Sequence, residues 1–444
     1  MKKILSIVFL SSFVFVANAQ DSARYVQQSL TILQQLNALQ YDKVVSQLDS
    51  AVAAKMDSAR LGSAWRNLLT RAGSFKGIVD TLYDHQTTYD VVILQSLFGD
   101  RKIDVKTVYG RGGSIKGIFF LPTDTREKYK NPSYFNSDLF EEAAVEVVNG
   151  DVKLKGILSV PKNSGKVPAV ILVHGSGPND KDETVGATKI FRDFSVGLSA
   201  KGIAVLRYDK RTRALAAKLK FTKQIITPEE ETVSDAIAAA ELLKKDPRID
   251  TSRIYYIGHS MGGYLLPQIA SKVPNVKGMI LLCPQARPLE DVMLEQTEYV
   301  LTLEGKNAAE VKSALDSLQK AVQQVKALVD ANKVDSVKIM SYHSAYWIYL
   351  KHYDPFAASK SEKTPMLILQ GDRDYQVTMS DYSSWKTNLK GRPATTFKSY
   401  PGLNHFFIKG TGKSSPEEYN HAGNVSEQVI VDISGWIKTG ALEK

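Results

Sequence analysis

Gly258-His259-Ser260-Met261-Gly262-Gly263 is the stretch on which the reading of this chain turns. It directly follows the apolar run Ile254 to Ile257 and precedes the helix-compatible run Tyr264 to Ala270. A G-x-S-x-G sequence set between a strand and a helix makes a turn so sharp that only small residues fit beside its centre, hence Gly258 and Gly262. Such a turn lifts the Ser260 hydroxyl to the carboxyl edge of a sheet. It also aims the next amide, that of Met261, at negative charge developing on a substrate oxygen. The five-residue pattern is weak by itself; the strand before it and the helix after it make it specific.

Short apolar runs alternate with helical stretches on both sides of this turn. Ala169 to Val173, Ile203 to Tyr208, Ile254 to Ile257, Met279 to Leu282 and Met366 to Leu369 are near-continuously hydrophobic, as parallel strands buried on both faces are. Pro168 stands just before the first, where a strand tolerates it. Val233, Ile237, Ala240 and Leu243 give a helical face between the second and third runs. The alternation predicts an α/β fold with a mostly parallel, doubly wound sheet. Ahead of it, Glu142 to Val148 and Val152 to Val160 flank Asn149-Gly150 and predict a β-hairpin with a type I′ turn. The interval from about 287 to 363 is too long for an ordinary connection. Val311, Leu315, Leu318, Val322, Val325 and Val329 recur at steps of four and three, which predicts a long amphipathic helix in a helical cap inserted between two strands. The aromatic cluster Tyr342, Tyr346, Trp347, Tyr349, Tyr353 and Phe356 reads as the cap's own core or as a pocket wall, and packing is the commoner use.

The N-terminus reads as a targeting segment. Lys2 and Lys3 precede an apolar run, Ile4 to Val16, and Ala17-Asn18-Ala19 gives a small-x-small cleavage pattern. Residues 1–19 are therefore expected to be a signal peptide, cut between Ala19 and Gln20, with the protein exported to the periplasm or secreted. The apolar run is short for a bilayer span and no later stretch qualifies, so no stable membrane insertion is expected after cleavage. Residues 20–130 read as a small α+β domain: helical faces first, then strand-like Tyr89 to Leu94, Lys102 to Tyr109 and Ile115 to Leu121. Pro122 to Ser137 reads as a linker, and residues 138–444 as the second domain.

A chain of 444 residues suggests two or three domains. Its formal charge of +10, two units of which leave with the signal, is too diffuse to indicate a nucleic-acid partner. The densest basic run is Lys210, Arg211, Arg213, Lys218, Lys220 and Lys223. Solvation is the usual role of such a run; steering of an anionic substrate is the sharper one. Cys283 stands alone, which excludes an intrachain disulfide, and it follows Met279 to Leu282 as a buried strand-end residue would. With no metal-ligand cluster or phosphate-binding loop in the sequence, neither metal nor cofactor is expected.

A second signal, His174-Gly175-Ser176-Gly177-Pro178, ends the run Ala169 to Val173. A loop at that place supplies the second oxyanion-binding amide, assigned to Ser176, with Gly175 the lesser choice. Losing one such donor typically costs ~3 kcal/mol. A neutral serine also needs a base within reach. Of seven histidines, His174 and His259 lie inside the two motifs and are expected to point away from the position a base requires. His85 lies in the small domain, and His343 and His352 in the cap. His405 follows the strand-like Thr395 to Tyr400 and is the choice; His421 is its rival. The base in turn needs a carboxylate to fix its tautomer. Gln370-Gly371-Asp372-Arg373-Asp374 follows the last of the five runs and offers Asp374, with Asp372 as alternate.

With these residues placed, the chain resembles the EstD-type bacterial carboxylesterases of the α/β-hydrolase superfamily over most of residues 138–440. The resemblance is carried by Ile171 to Pro178, Asp182 to Gly186, Gly202 to Thr212, the Ser260 turn and Gly371 to Val377. The first domain is similar to a small domain of unknown function that often precedes such hydrolases. The resemblance implies an α/β-hydrolase fold, hydrolysis of short acyl esters without a cofactor, and Ser260, Asp374 and His405, in that order, as the triad. It leaves the physiological substrate open. Dienelactone hydrolases are similar at a greater distance and use cysteine where Ser260 stands. Two other readings remain. A peptidase, chiefly an aminopeptidase, would need a cap carboxylate such as Glu295, Glu298 or Glu304 to hold a substrate ammonium. A binding module would leave the hydrolase domain idle.

Overall fold

Alternate residues of Val167–Val173 enter two different hydrophobic clusters: Ala169, Ile171 and Val173 one, Val170 and Leu172 the other. A strand covered on both faces has no solvent side, which is why the run is apolar throughout. The computed structural model that shows this describes residues 11–85, 88–124, 126–162, 165–219, 225–334 and 337–442. The chain forms two compact units, dividing between Thr125 and Arg126.

In the second unit eight strands make one sheet. Their order across it is Thr395–Tyr400, Met366–Gly371, Val276–Leu282, Ile249–His259, Val167–Val173, Ala204–Tyr208, Val152–Pro161 and Phe140–Asn149. The first six run parallel; the last two are the antiparallel hairpin at one edge. Its turn differs from the expected type I′. Gly150 has φ +59° but Asp151 is not left-handed, and type I′ needs positive φ at both central residues. The interval between Val276–Leu282 and Met366–Gly371 carries the helices Leu289–Leu303, Ala308–Ala327, Ser344–His352 and Pro355–Ser361. Asn307 and Glu310 form a capping box at the start of Ala308–Ala327, which buries Val311, Leu315, Val322 and Val325. The helix stops before Val329, which is exposed. The cap aromatics pack in the hydrophobic cluster on one face of the sheet, with Tyr346 and Trp347 buried. Residues 126–137 are strapped to this unit: Glu127 N donates to Asn420 O, Tyr129 Oη to Asp193 Oδ1 at 2.7 Å, and Tyr134 Oη to Val425 O at 2.9 Å.

The first unit packs helices on a four-stranded antiparallel sheet whose strands, Phe75–His85, Tyr89–Phe98, Arg101–Gly110 and Ile115–Pro122, lie in sequence order. Phe75–His85 has no counterpart among the expected strands; it is largely exposed and so lacks apolar alternation. Residues 11–19 of the expected signal peptide belong to the helix Ser11–Asn37, and residues 1–10 lie outside the described residues. Among the described residues no helix is long and apolar enough to cross a membrane. Asp57 caps the helix Ser58–Ala72 by accepting from Arg60 N at 2.8 Å. That helix buries Trp65, whose ring meets Phe98 and Phe120 edge-on at 5.6 and 5.3 Å.

Trp65 is the largest side chain buried in this small core, so its removal leaves a cavity the sheet cannot fill. Trp65→Ala is expected to destabilise the first unit by about 3–5 kcal/mol. Urea unfolding of the full chain followed by circular dichroism checks this; a loss under about 1 kcal/mol would contradict it.

Candidate active site

Ser260 sits between the strand Ile249–His259 and the helix Met261–Lys272 with φ +51° and ψ −118°. Glycines make room for that turn. A Cβ on Gly262 would lie 2.2 Å from Val173 O, and one on Gly258 2.6 Å from Gly262 C. Met261 opens the helix, so its N–H has no acceptor in the preceding turn.

The loop after Val167–Val173 lies beside this turn. Gly175 N donates to Glu183 Oε1 at 2.8 Å and is therefore committed. The amides of Ser176 and Met261 have no acceptor among the described residues. Glu183, buried and with φ +48°, also holds His259 Nδ1 at 3.2 Å through the same oxygen. His259 Nε2 lies 3.1 Å from His405 O, and the two rings are 4.5 Å apart. His259 thus lines the Ser260 cavity, but both of its nitrogens are engaged by groups other than Ser260, so it does not take the base's position. Both of its nitrogens meet acceptors, the bonding pattern of an imidazolium. Burial pushes this ring toward the neutral form, but the charge and hydrogen bond of Glu183, together with the His405 carbonyl and Asp374, raise its pKa. His174 does turn aside, to Asp180 O at 3.0 Å, and burial pushes its pKa down to about 4.

His405 comes from the loop after Thr395–Tyr400, and its Nδ1 lies 2.6 Å from Asp374 Oδ2. Asp374 is fixed in turn: Oδ1 accepts from Gln376 N at 2.8 Å and Val377 N at 2.9 Å, and Oδ2 from Gln370 Nε2 at 3.1 Å. Gly371 brings the two loops together, since a Cβ there would lie 2.3 Å from Leu403 O. Burial lowers the His405 pKa; Asp374 opposes the shift and the His259 charge adds to it. Ser176, Ser260, His259 and His405 line one cavity of about 300 Å³, walled by Val185, Tyr375, Phe406, Pro416 and Tyr419. Ser260 and His405 line this cavity without a hydrogen bond between their side chains, a bond that often tightens only with substrate bound.

The rival residues are placed elsewhere. Asp372 is exposed and accepts from Gly402 N at 2.7 Å. His421 is exposed and pairs with Glu127 at 3.2 Å. Glu295 pairs with Arg287 at 2.5 Å and Glu304 with Lys306 at 3.2 Å; neither they nor the exposed Glu298 line the cavity. The cap aromatics are absent from its wall too.

The basic run is not a uniformly solvated loop. Lys210 is buried and pairs with Glu231 at 2.7 Å; Arg211 is buried against Asp235 at 2.5 Å. Arg213 is exposed, while the Lys218 side chain, Lys220 and Lys223 lie outside the described residues. Cys283, buried at the strand end, has its sulfur within 4.8 Å of ligand atoms on Asp374 and His405. The group does not suit a metal: Asp374 and His405 are committed to each other, and burial, reinforced by Asp374, keeps the thiol protonated when a ligand must be a thiolate.

Comparison with known proteins agrees with this architecture. Residues 168–410 match the family described as serine aminopeptidase, S33, and residues 29–118 match a family of proteins of unknown function, DUF3887. Esterase EstD of Thermotoga maritima is 35% identical over 432 residues, which covers 97% of this chain and 98% of that one. Among solved structures, Est1E from Butyrivibrio proteoclasticus is 18% identical with a TM-score of 0.40, over 59% of this chain and 90% of its own. A hyperthermophilic esterase from Pyrobaculum calidifontis is 17% identical with a TM-score of 0.42, over 68% of this chain and 87% of its own. The extended match to the family and to EstD places the chain in the α/β-hydrolase superfamily, as a member of the EstD-type carboxylesterases that carry a small N-terminal domain.

Proposed function

We propose that the chain hydrolyses carboxylic esters with short acyl groups through an acyl intermediate on Ser260. The observation that carries this reading is the 2.6 Å contact of His405 Nδ1 with Asp374, which leaves the other ring nitrogen for the cavity that holds Ser260. His405 takes the Ser260 proton as the hydroxyl attacks the ester carbonyl. The amides of Ser176 and Met261 receive the oxyanion. His405 then gives its proton to the departing alcohol and activates a water that releases the acid. Asp374, held by two backbone amides, keeps Nδ1 protonated and stabilises the transient imidazolium. The 300 Å³ cavity and its aromatic walls suit a small acyl group over a long chain. Among the described residues no carboxylate of the cap lines the cavity, which weighs against an aminopeptidase. Residues 1–19 act in this reading as an export signal, and the mature chain starts at Gln20.

A panel of p-nitrophenyl esters of rising chain length, run beside aminoacyl p-nitroanilides, tests the reaction class. Short esters are expected to be cleaved fastest, with Ser260→Ala lowering kcat by about 10⁴-fold or more. Faster cleavage of the aminoacyl amides, or an active Ser260→Ala, would overturn the proposal.

The pH profile tests the base. His405 must be neutral to accept a proton, and burial lowers its pKa from the ordinary 6.5. Activity is therefore expected to fall on the acid side, with the limb of kcat/KM centred below pH 6.5 and a plateau at neutral pH. Asp374→Asn removes a group that raises this pKa, so it should move the residual limb further down as well as slow the reaction. A limb at or above pH 7 would contradict the assignment.

A further inference from the structure

The Ser176 amide can receive an oxyanion only if the peptide joining Gly175 to Ser176 faces the right way. In a planar trans peptide the C=O and the following N–H point in opposite directions, so whatever holds the Gly175 carbonyl also aims the Ser176 N–H. Lys210 holds that carbonyl: its Nζ donates to Gly175 O at 2.8 Å. Asn179 Nδ2 adds a longer contact to the same oxygen at 3.3 Å. Lys210 is itself held by Glu231 at 2.7 Å, and both side chains are at most 3% exposed. On the other side of Gly175, its own N–H is fixed by Glu183.

We propose that the buried Lys210–Glu231 pair is a positioning device that sets the oxyanion-binding peptide, with the Gly175 carbonyl drawn to Lys210 and the Ser176 N–H turned into the cavity. The proposal rests on the serine-hydrolase reading and deepens it. A buried ion pair is poor evidence for stability, because apolar side chains of similar volume often hold a fold as well. Its direction is the informative part: the ammonium reaches the one carbonyl whose orientation decides a catalytic donor. Glu231 lies in a π-helical turn, Glu229–Val233, ahead of the helix Ser234–Leu243. Such local irregularities are frequent at functional sites. The pair is also tied to the other donor. Tyr346, from the cap helix Ser344–His352, donates toward Glu231 Oε1 at 3.4 Å and toward Met261 Sδ at 3.2 Å. The residues that govern both amides therefore meet one cap side chain.

The test is steady-state hydrolysis of a short p-nitrophenyl ester, with phenylboronic acid as a tetrahedral-adduct probe and thermal melting as the control for folding. Lys210→Met alone leaves Glu231 buried without its partner and should lose both stability and rate. Lys210→Met/Glu231→Gln removes the orphaned charge and should melt near the wild type. Its kcat is nevertheless expected to fall about 100-fold with KM within about threefold, and the boronate Ki to rise by a similar factor. A double variant that regains wild-type kcat and boronate affinity along with its stability overturns the proposal. Ser260→Ala, measured beside it, separates the two ideas: an active Ser260→Ala refutes the serine-hydrolase reading, whereas an inactive one with a fully active double variant refutes the clamp alone.

Discussion

Gly262 lies so close to the end of the strand Val167–Val173 that a Cβ would sit 2.2 Å from Val173 O and 2.6 Å from His174 O. That approach fixes the spacing between the serine turn and the loop bearing Ser176, because His174 is the first residue of that loop. The positive φ of Ser260 belongs to the same constraint, since strained backbone persists only where its surroundings over-determine it. Gly371 plays the equivalent part at the neighbouring strand ends, where it lets the Asp374 loop meet Leu403 and the His405 loop. Two backbone contacts made through missing side chains thus bring four loops to one edge of the sheet.

Charge around the cavity is arranged in pairs. Glu183 meets His259, Lys210 meets Glu231, and Asp374 meets His405. Each pair also orders backbone: Glu183 the Gly175 amide and its partner His259 the carbonyl of His405, Lys210 the Gly175 carbonyl, and Asp374 the amides of Gln376 and Val377. Groups already oriented before the reaction need no reorganisation when charge develops, which is where electrostatic catalysis gains most. Burial lowers the His405 pKa, and the neighbouring His259 adds to that shift.

Much of this was legible because the signals are local. The Ser260 turn, the five buried strand runs, the inserted helices and the loops after Val173, Leu369 and Tyr400 each declare themselves within a short segment. What escaped depends on partners distant in sequence. Lys210 and Arg211 read as part of a basic loop, yet their acids, Glu231 and Asp235, lie over twenty residues on in a separate helical segment. Glu183 looks like one more polar residue after a glycine-rich loop; only the fold brings it to His259. A His inside the serine motif gives no hint of which way its ring turns. The type I′ turn was misjudged because the strands pair Asn149 with Val152, which makes Gly150 and Asp151 the central residues. The cap aromatics take the commoner role, packing, while the cavity takes its rings from Tyr375, after one strand, and from Phe406 and Tyr419, in the connection after another.

A crystal structure of the chain after reaction with a short alkyl fluorophosphonate decides whether Ser260 is the nucleophile and which amides face it. Phosphorus is expected to be bonded to Ser260 Oγ, with one phosphoryl oxygen about 3 Å from both the Ser176 and Met261 nitrogens and Gly175 N still bound to Glu183. An adduct on another residue, or a phosphoryl oxygen turned away from those two amides, would contradict that expectation.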